Sequence, residues 1–157
     1  MAECSDSERT WLLAYLDGTP VAGMAAQARL SHLPVWRARI VDGGRLGCAR
    51  TIFQSLGQAR SKELYGEATF RVAQVLPTLS ASPPPDPDML ATIGNYMRAV
   101  RDGLPLDIIQ TFCATAPGDG DALIIDGNKR AVALYEVTRK SGEHLLNLPV
   151  YVIGSRG

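Results

Sequence analysis

The chain has 157 residues, 46% of them hydrophobic, and its 16 Lys and Arg are balanced by 16 Asp and Glu for a net charge of +0. That length fits one domain with an extension, and the composition supplies an ordinary core rather than a disordered chain. Neutral balance argues against broad, charge-driven coating of nucleic acid, and no apolar run approaches the roughly 20 residues of a membrane span.

The stretch from Met1 to Arg9 is polar and acidic, without the basic and apolar regions of a signal peptide, so a cytoplasmic protein is expected. Cys4, Cys48 and Cys113 lie far apart, and His32 and His144 are isolated. Neither a disulfide framework nor a zinc site is expected from them. Thr10 to Leu16 is a short apolar segment broken by Gly18-Thr19-Pro20, and the Ala-rich Val21 to Leu30 reads as a helix. Val35 to Val41 reads as a strand ended by Asp42-Gly43-Gly44. Trp36 with Arg37 and Arg39 offers either a stacking patch for nucleic acid or a strand with one core aromatic. Thr51 to Leu64 reads as a helix, with Ile52, Leu56 and Ala59 on one side.

Thr69 to Leu76 alternates and predicts a strand. Ser80 to Asp88 holds four prolines and must be a loop. Met89, Leu90, Ile93, Met97 and Val100 then recur at helical spacing; Asp86 or Asp88 can cap this helix and Gly103 can end it. Leu106 to Cys113 predicts a strand, Pro117 to Gly120 a turn, and Ala122 to Ile125 a short apolar strand. Asp126-Gly127 turns the chain into a helix over Asn128 to Lys140, and Leu148 to Ile153 closes as a strand. The fold class expected is α+β: a small mixed β-sheet with packed helices over residues 67–157, preceded by an N-terminal α/β extension over residues 1–66.

The corner from Asp126 to Arg130 carries the most readable chemistry. An apolar strand ends, a glycine allows a sharp turn, and a helix begins at once. The first amides of a helix lack internal partners and carry partial positive charge, which suits an anion. Gly127 lets backbone approach a ligand closely. Lys129 and Arg130 stand in the first helical turn, where cations are unfavourable unless something negative lies nearby. Arg130 can fork two donors onto a phosphate. The same residues also fit a plain turn capped by Asp126 or Asn128 with two solvated cations, and spacing alone does not separate the two readings. Tyr135 and Glu136 sit two turns further on, within reach of the ligand for one of them, with core packing as the alternative for Tyr135. Arg98 and Arg101 would join the site only if their helix flanks it.

Leu123-Ile124-Ile125-Asp126-Gly127-Asn128-Lys129-Arg130-Ala131 resembles the ligand corner of the ParB/sulfiredoxin-like superfamily. The resemblance runs in order through Phe70 to Leu79, Pro87 to Gly103, Leu104 to Ile109 and Leu148 to Val152. It implies a sulfiredoxin-like sheet with nucleotide phosphates held by Gly127, Asn128, Lys129 and Arg130. The cysteine that sulfiredoxin chemistry needs in this corner is absent, and Asn128 and Lys129 stand where free serine kinases carry two histidines. Asp126, Gly127 and Arg130 match those kinases. A shorter resemblance, to the Fic/Doc motif, would place the catalytic histidine at Ala122 and a phenylalanine at Ile124, so it lacks its base.

The resemblance therefore implies a phosphotransferase that binds ATP or ADP, with Mg²⁺ as an accompanying ion, and acts on a small molecule. Asp126 is the candidate to orient a metal-bound water or substrate hydroxyl, and Glu67, Asp86 and Asp88 are candidates for the catalytic base. Two further readings stay open: a nucleotide-responsive regulator without turnover, in which the extension engages a partner or forms a homodimer, and a ParB-like nuclease or DNA-binding module, which neutral charge disfavours.

Overall fold

Ser5 opens the first helix of the computed structural model, which describes residues 2–17, 34–51, 70–103, 111–115, 122–141 and 145–154. The Ser5 amide donates to Glu8 Oε2 at 2.9 Å and the Glu8 amide to Ser5 Oγ at 3.3 Å, a reciprocal pair that satisfies two end amides. Helix α1 runs from Asp6 to Asp17 and takes in the apolar segment from Thr10, with Leu12 fully buried.

Seven strands among the described residues follow the spatial order β1-β2-β7-β5-β6-β3-β4. They are β1 (Ala2–Glu3), β2 (Val35–Asp42), β3 (Arg50–Thr51), β4 (Phe70–Arg71), β5 (Thr111–Thr115), β6 (Ala122–Asp126) and β7 (Leu145–Ile153). One group, β1-β2-β7, is antiparallel. The other, β6-β3-β4, is mixed, and β5 bridges the two, parallel to β7 and antiparallel to β6. The α+β expectation holds. Strands from before residue 66 pair with strands after it: β2 lies on β7 and β3 on β6.

The other helices among the described residues are α2 (Gly43–Cys48), α3 (Val72–Leu79), α4 (Pro87–Arg101) and α5 (Asn128–Ser141). Leu46, Val72, Val75, Leu79, Met89, Ile93, Met97 and the α5 residues Ala131 to Leu134 form one core with Ile124 and Val150 of the sheet. Leu12, Val35, Leu123 and Ile153 are buried outside that cluster. Strand alternation explains the division. Val35 pairs with Ile153 on one sheet face, and Ala38 pairs with Val150 on the other. Four helices cover the second face and α1 lies against the first.

Thr69 to Leu76 is not the continuous strand expected. From Phe70, where the described residues resume, Phe70 and Arg71 are extended and α3 begins at Val72. Gln74 Oε1 accepts the Arg71 amide at 2.9 Å, tying down the helix start. Val72, Val75 and Leu79 are buried at i, i+3, i+7 while Pro77 stays exposed. The apolar residues satisfy both periods, and burial beneath α5 decides for the helix. Asp86 caps α4, its Oδ1 accepting the Met89 amide at 2.9 Å, and Gly103 follows with φ +66°. The strand expected over Leu106 to Cys113 is described from Thr111 onward. The helices expected over Val21 to Leu30 and beyond Thr51, the turn Pro117 to Gly120, His32, His144 and Glu67 lie outside the described residues.

Candidate functional site

Phe112 pairs with Asp126, but Cys113 pairs with Ile124, so β6 carries one extra residue at Ile125. An extra residue reverses the alternation beyond it, and bulges commonly re-aim a side chain in this way. Ile124 therefore belongs to the helix-covered face while Asp126 falls on the face of α1. Gly127 follows with φ +83°, a left-handed conformation that costs glycine little and other residues more. It is buried, and its carbonyl accepts the Ala131 amide at 2.9 Å as α5 begins.

Arg130, one turn into α5, donates from Nη2 to Asp126 Oδ2 at 3.3 Å. Their side chains are 15% and 23% exposed, so the pair is half-sheltered from solvent. Tyr15 Oη donates to the same carboxylate oxygen at 3.3 Å. Burial raises the Tyr15 phenol above its ordinary pKa; the Asp126 charge and hydrogen bond add to this, and Arg130 opposes it.

Helix α1 reaches this corner by crossing the strands. Glu8 Oε1 lies 3.4 Å from Arg37 Nη1, the Trp11 ring lies 6.4 Å from that of Tyr151, and Tyr15 meets Asp126. Arg37 pairs with Tyr151, Tyr151 with Phe112 and Phe112 with Asp126, so the three residues that α1 meets, on β2, β7 and β6, lie along one row of the sheet. Residues 8, 11 and 15 share a helical face. Trp11 and Tyr15 also stack, with centroids 5.7 Å apart and planes at 23°.

Asp126, Gly127, Asn128 and Arg130 are brought together at the corner, and Lys129 stands exposed beside them. Asp86 is a helix cap. Glu136 is 2% exposed and accepts from Arg139 Nη2 at 2.7 Å, two turns from the corner. Tyr135 packs on the core, its ring against Gly47 of α2. Arg98, exposed on α4, bonds Asn95 Oδ1, and Arg101 is exposed as well. Trp36 donates to the Gly154 carbonyl at 3.2 Å and occupies the sheet face opposite Arg37 and Arg39, so the three do not make one stacking patch.

Sequence reading missed Tyr15 and Trp11. Ser5-Asp6-Ser7-Glu8 is a capping-box string, and Glu8, Trp11, Leu12 and Tyr15 recur at helical spacing behind it. Those signals define the helix, but not the strands it crosses.

Among the described residues no group of three or more His, Cys, Asp or Glu could hold a metal ion, and no helix among them is long and apolar enough to cross a membrane. No family model, curated protein or solved structure matches the chain.

Proposed function

We propose that the chain is a ParB/sulfiredoxin-like nucleotide-binding protein, an ATP- or ADP-dependent phosphotransferase acting on a small molecule. The reading is carried by Arg130, a guanidinium 15% exposed in the first turn of a helix that starts at the positive-φ Gly127. First-turn amides and a sheltered guanidinium are groups that phosphate takes as partners. Arg130 gives one donor to Asp126, and a guanidinium has five N–H groups. An incoming phosphate would share Arg130 with that carboxylate or displace it.

Phosphoryl transfer needs positioning and charge neutralisation more than covalent chemistry. Arg130 and Lys129 would neutralise phosphate oxygens, and the buried turn at Gly127 would fix their placement. Asp126 would orient the acceptor hydroxyl or a water of nucleotide-borne Mg²⁺, an ion that keeps several waters and needs few protein ligands. Incubation with ATP or ADP, Mg²⁺ and candidate small-molecule hydroxyl acceptors tests the reading. A phosphorylated product that disappears with Asp126→Asn is expected.

A second reading, a nucleotide-responsive regulator without turnover, is favoured by the Tyr15 contact. A phosphate that draws Arg130 from Asp126 changes what Tyr15 holds and so reaches α1. Binding without product in the same incubation selects this reading.

A further inference from the structure

We propose that the stacked pair Trp11 and Tyr15 is the platform for the planar base of the nucleotide whose phosphate is taken at Arg130, an inference that rests on reading that corner as a phosphate site. Trp11 is an exposed large apolar side chain, 47% open to solvent. A single exposed hydrophobe is ordinary on a protein surface; what distinguishes Trp11 is how it is held. Tyr15 stacks on it at 5.7 Å and Tyr151 meets it at 6.4 Å with a 50° tilt. Helix α1 beneath is fixed by the Ser5 and Glu8 cap, the Glu8 to Arg37 ion pair and the fully buried Leu12. A ring held this firmly has little freedom left to lose when a ligand stacks on it.

Continuity identifies the occupant. Tyr15 belongs to both halves: its ring stacks on Trp11 and its hydroxyl bonds Asp126, which holds Arg130. Indole, phenol, carboxylate and guanidinium thus form an unbroken series, aromatic at one end and cationic at the other. A nucleotide has the complementary series, a base at one end and phosphate at the other. Stacking reads the face of a base rather than its edge, so the platform favours purines by area without selecting one of them.

Titration calorimetry of the full chain with ATP and with inorganic tripolyphosphate, each with Mg²⁺, tests the assignment. Trp11→Ala is expected to weaken ATP about 10-fold and to leave tripolyphosphate unchanged, while Trp11→Phe retains most of the ATP affinity. Trp11→Leu, which keeps bulk without a π-face, is expected to resemble Trp11→Ala, and serves if the alanine variant does not fold. Arg130→Ala is expected to weaken both ligands. Equal ATP affinity in wild type, Trp11→Ala and Trp11→Leu overturns the platform and leaves the phosphate corner standing. Ligands that bind nowhere, or with no sensitivity to Arg130→Ala, overturn the corner and the platform with it. A dimer of the chain that dissociates on Trp11→Ala, with ATP affinity unaltered, assigns the patch to a second copy and overturns the base.

Discussion

Tyr15 Oη and Asp126 Oδ2 meet at 3.3 Å although 111 positions separate them in the chain. The contact exists because α1 crosses the sheet along the row that ends at Asp126, and because the bulge at Ile125 turns that carboxylate toward it. It places a helix from the start of the chain against a turn near its end.

The alkaline limb of the stability curve reports on this contact. The Tyr15 phenol is raised by burial first and the Asp126 charge second, and Tyr151 is raised by burial. A folded state that keeps these protons longer than the unfolded chain has their full stabilisation below about pH 10 and loses it as pH climbs through the higher folded values. Melting temperature is therefore expected to fall above about pH 10 less steeply in Tyr15→Phe than in wild type. Identical slopes would remove Tyr15 from the explanation.

Asp126→Asn frees Arg130 from a charged competitor. A partly sheltered i, i+4 pair at 3.3 Å contributes on the order of 1 kcal/mol, so the variant should fold with a modest loss of stability. Its affinity for tripolyphosphate is expected to rise about 2- to 5-fold, measured by calorimetry, while phosphoryl transfer is lost. An affinity that stays level or falls contradicts competition between Asp126 and the anion.

Gly47 tests the packing behind the corner. A Cβ there would stand 2.5 Å from Tyr135 Cε2 and 3.0 Å from Cζ, so a larger residue on α2 requires the Tyr135 ring to shift. Gly47→Ala should cost about 1–3 kcal/mol of stability through overpacking, read by urea denaturation, and trimming Tyr135 to Leu in the same chain should return part of it. A Gly47→Ala variant as stable as wild type would show that the ring moves freely.

Much of the second half was legible because its signals are local. The apolar run before Asp126, Gly127 and the periodic residues after it specify strand, turn and helix within a dozen positions, and Asp86 and Gly103 bracket α4 as their chemistry suggests. Val72 to Leu76 reads as the continuation of a strand but is helical, because Val72, Val75 and Leu76 satisfy both periods and only packing on α5 decides. The neighbours of α1 were illegible for a different reason. Which strand lies beside which is a long-range property, and a one-residue bulge at Ile125 leaves no composition signal. The candidate corner was thus visible as a turn, while the partner that Arg130 takes, and Tyr15 behind it, came only with the tertiary structure.

Asp86 acts on α4 through one hydrogen bond. Asp86→Ala should lower stability by about 1 kcal/mol, and Asp86→Asn, an equally good cap, should lower it little. Thermal melts of the two variants check this; equal losses would mean that the carboxylate charge rather than the cap geometry matters.

Whether Arg130 and the turn at Gly127 receive phosphate is decided by a thermal-shift series on wild type and Arg130→Ala with ATP, ADP and tripolyphosphate, with and without Mg²⁺. At ligand near 100 times its Kd, mass action adds about 2.7 kcal/mol, a rise of about 5–10 °C for a domain of this size. Wild type is expected to show that rise with at least one nucleotide, and Arg130→Ala, melting cooperatively on its own, is expected to lose most of it. No rise in wild type, or the same rise in both proteins, would exclude a phosphate site at Arg130 and leave the Asp126 to Arg130 pair as a purely structural clamp.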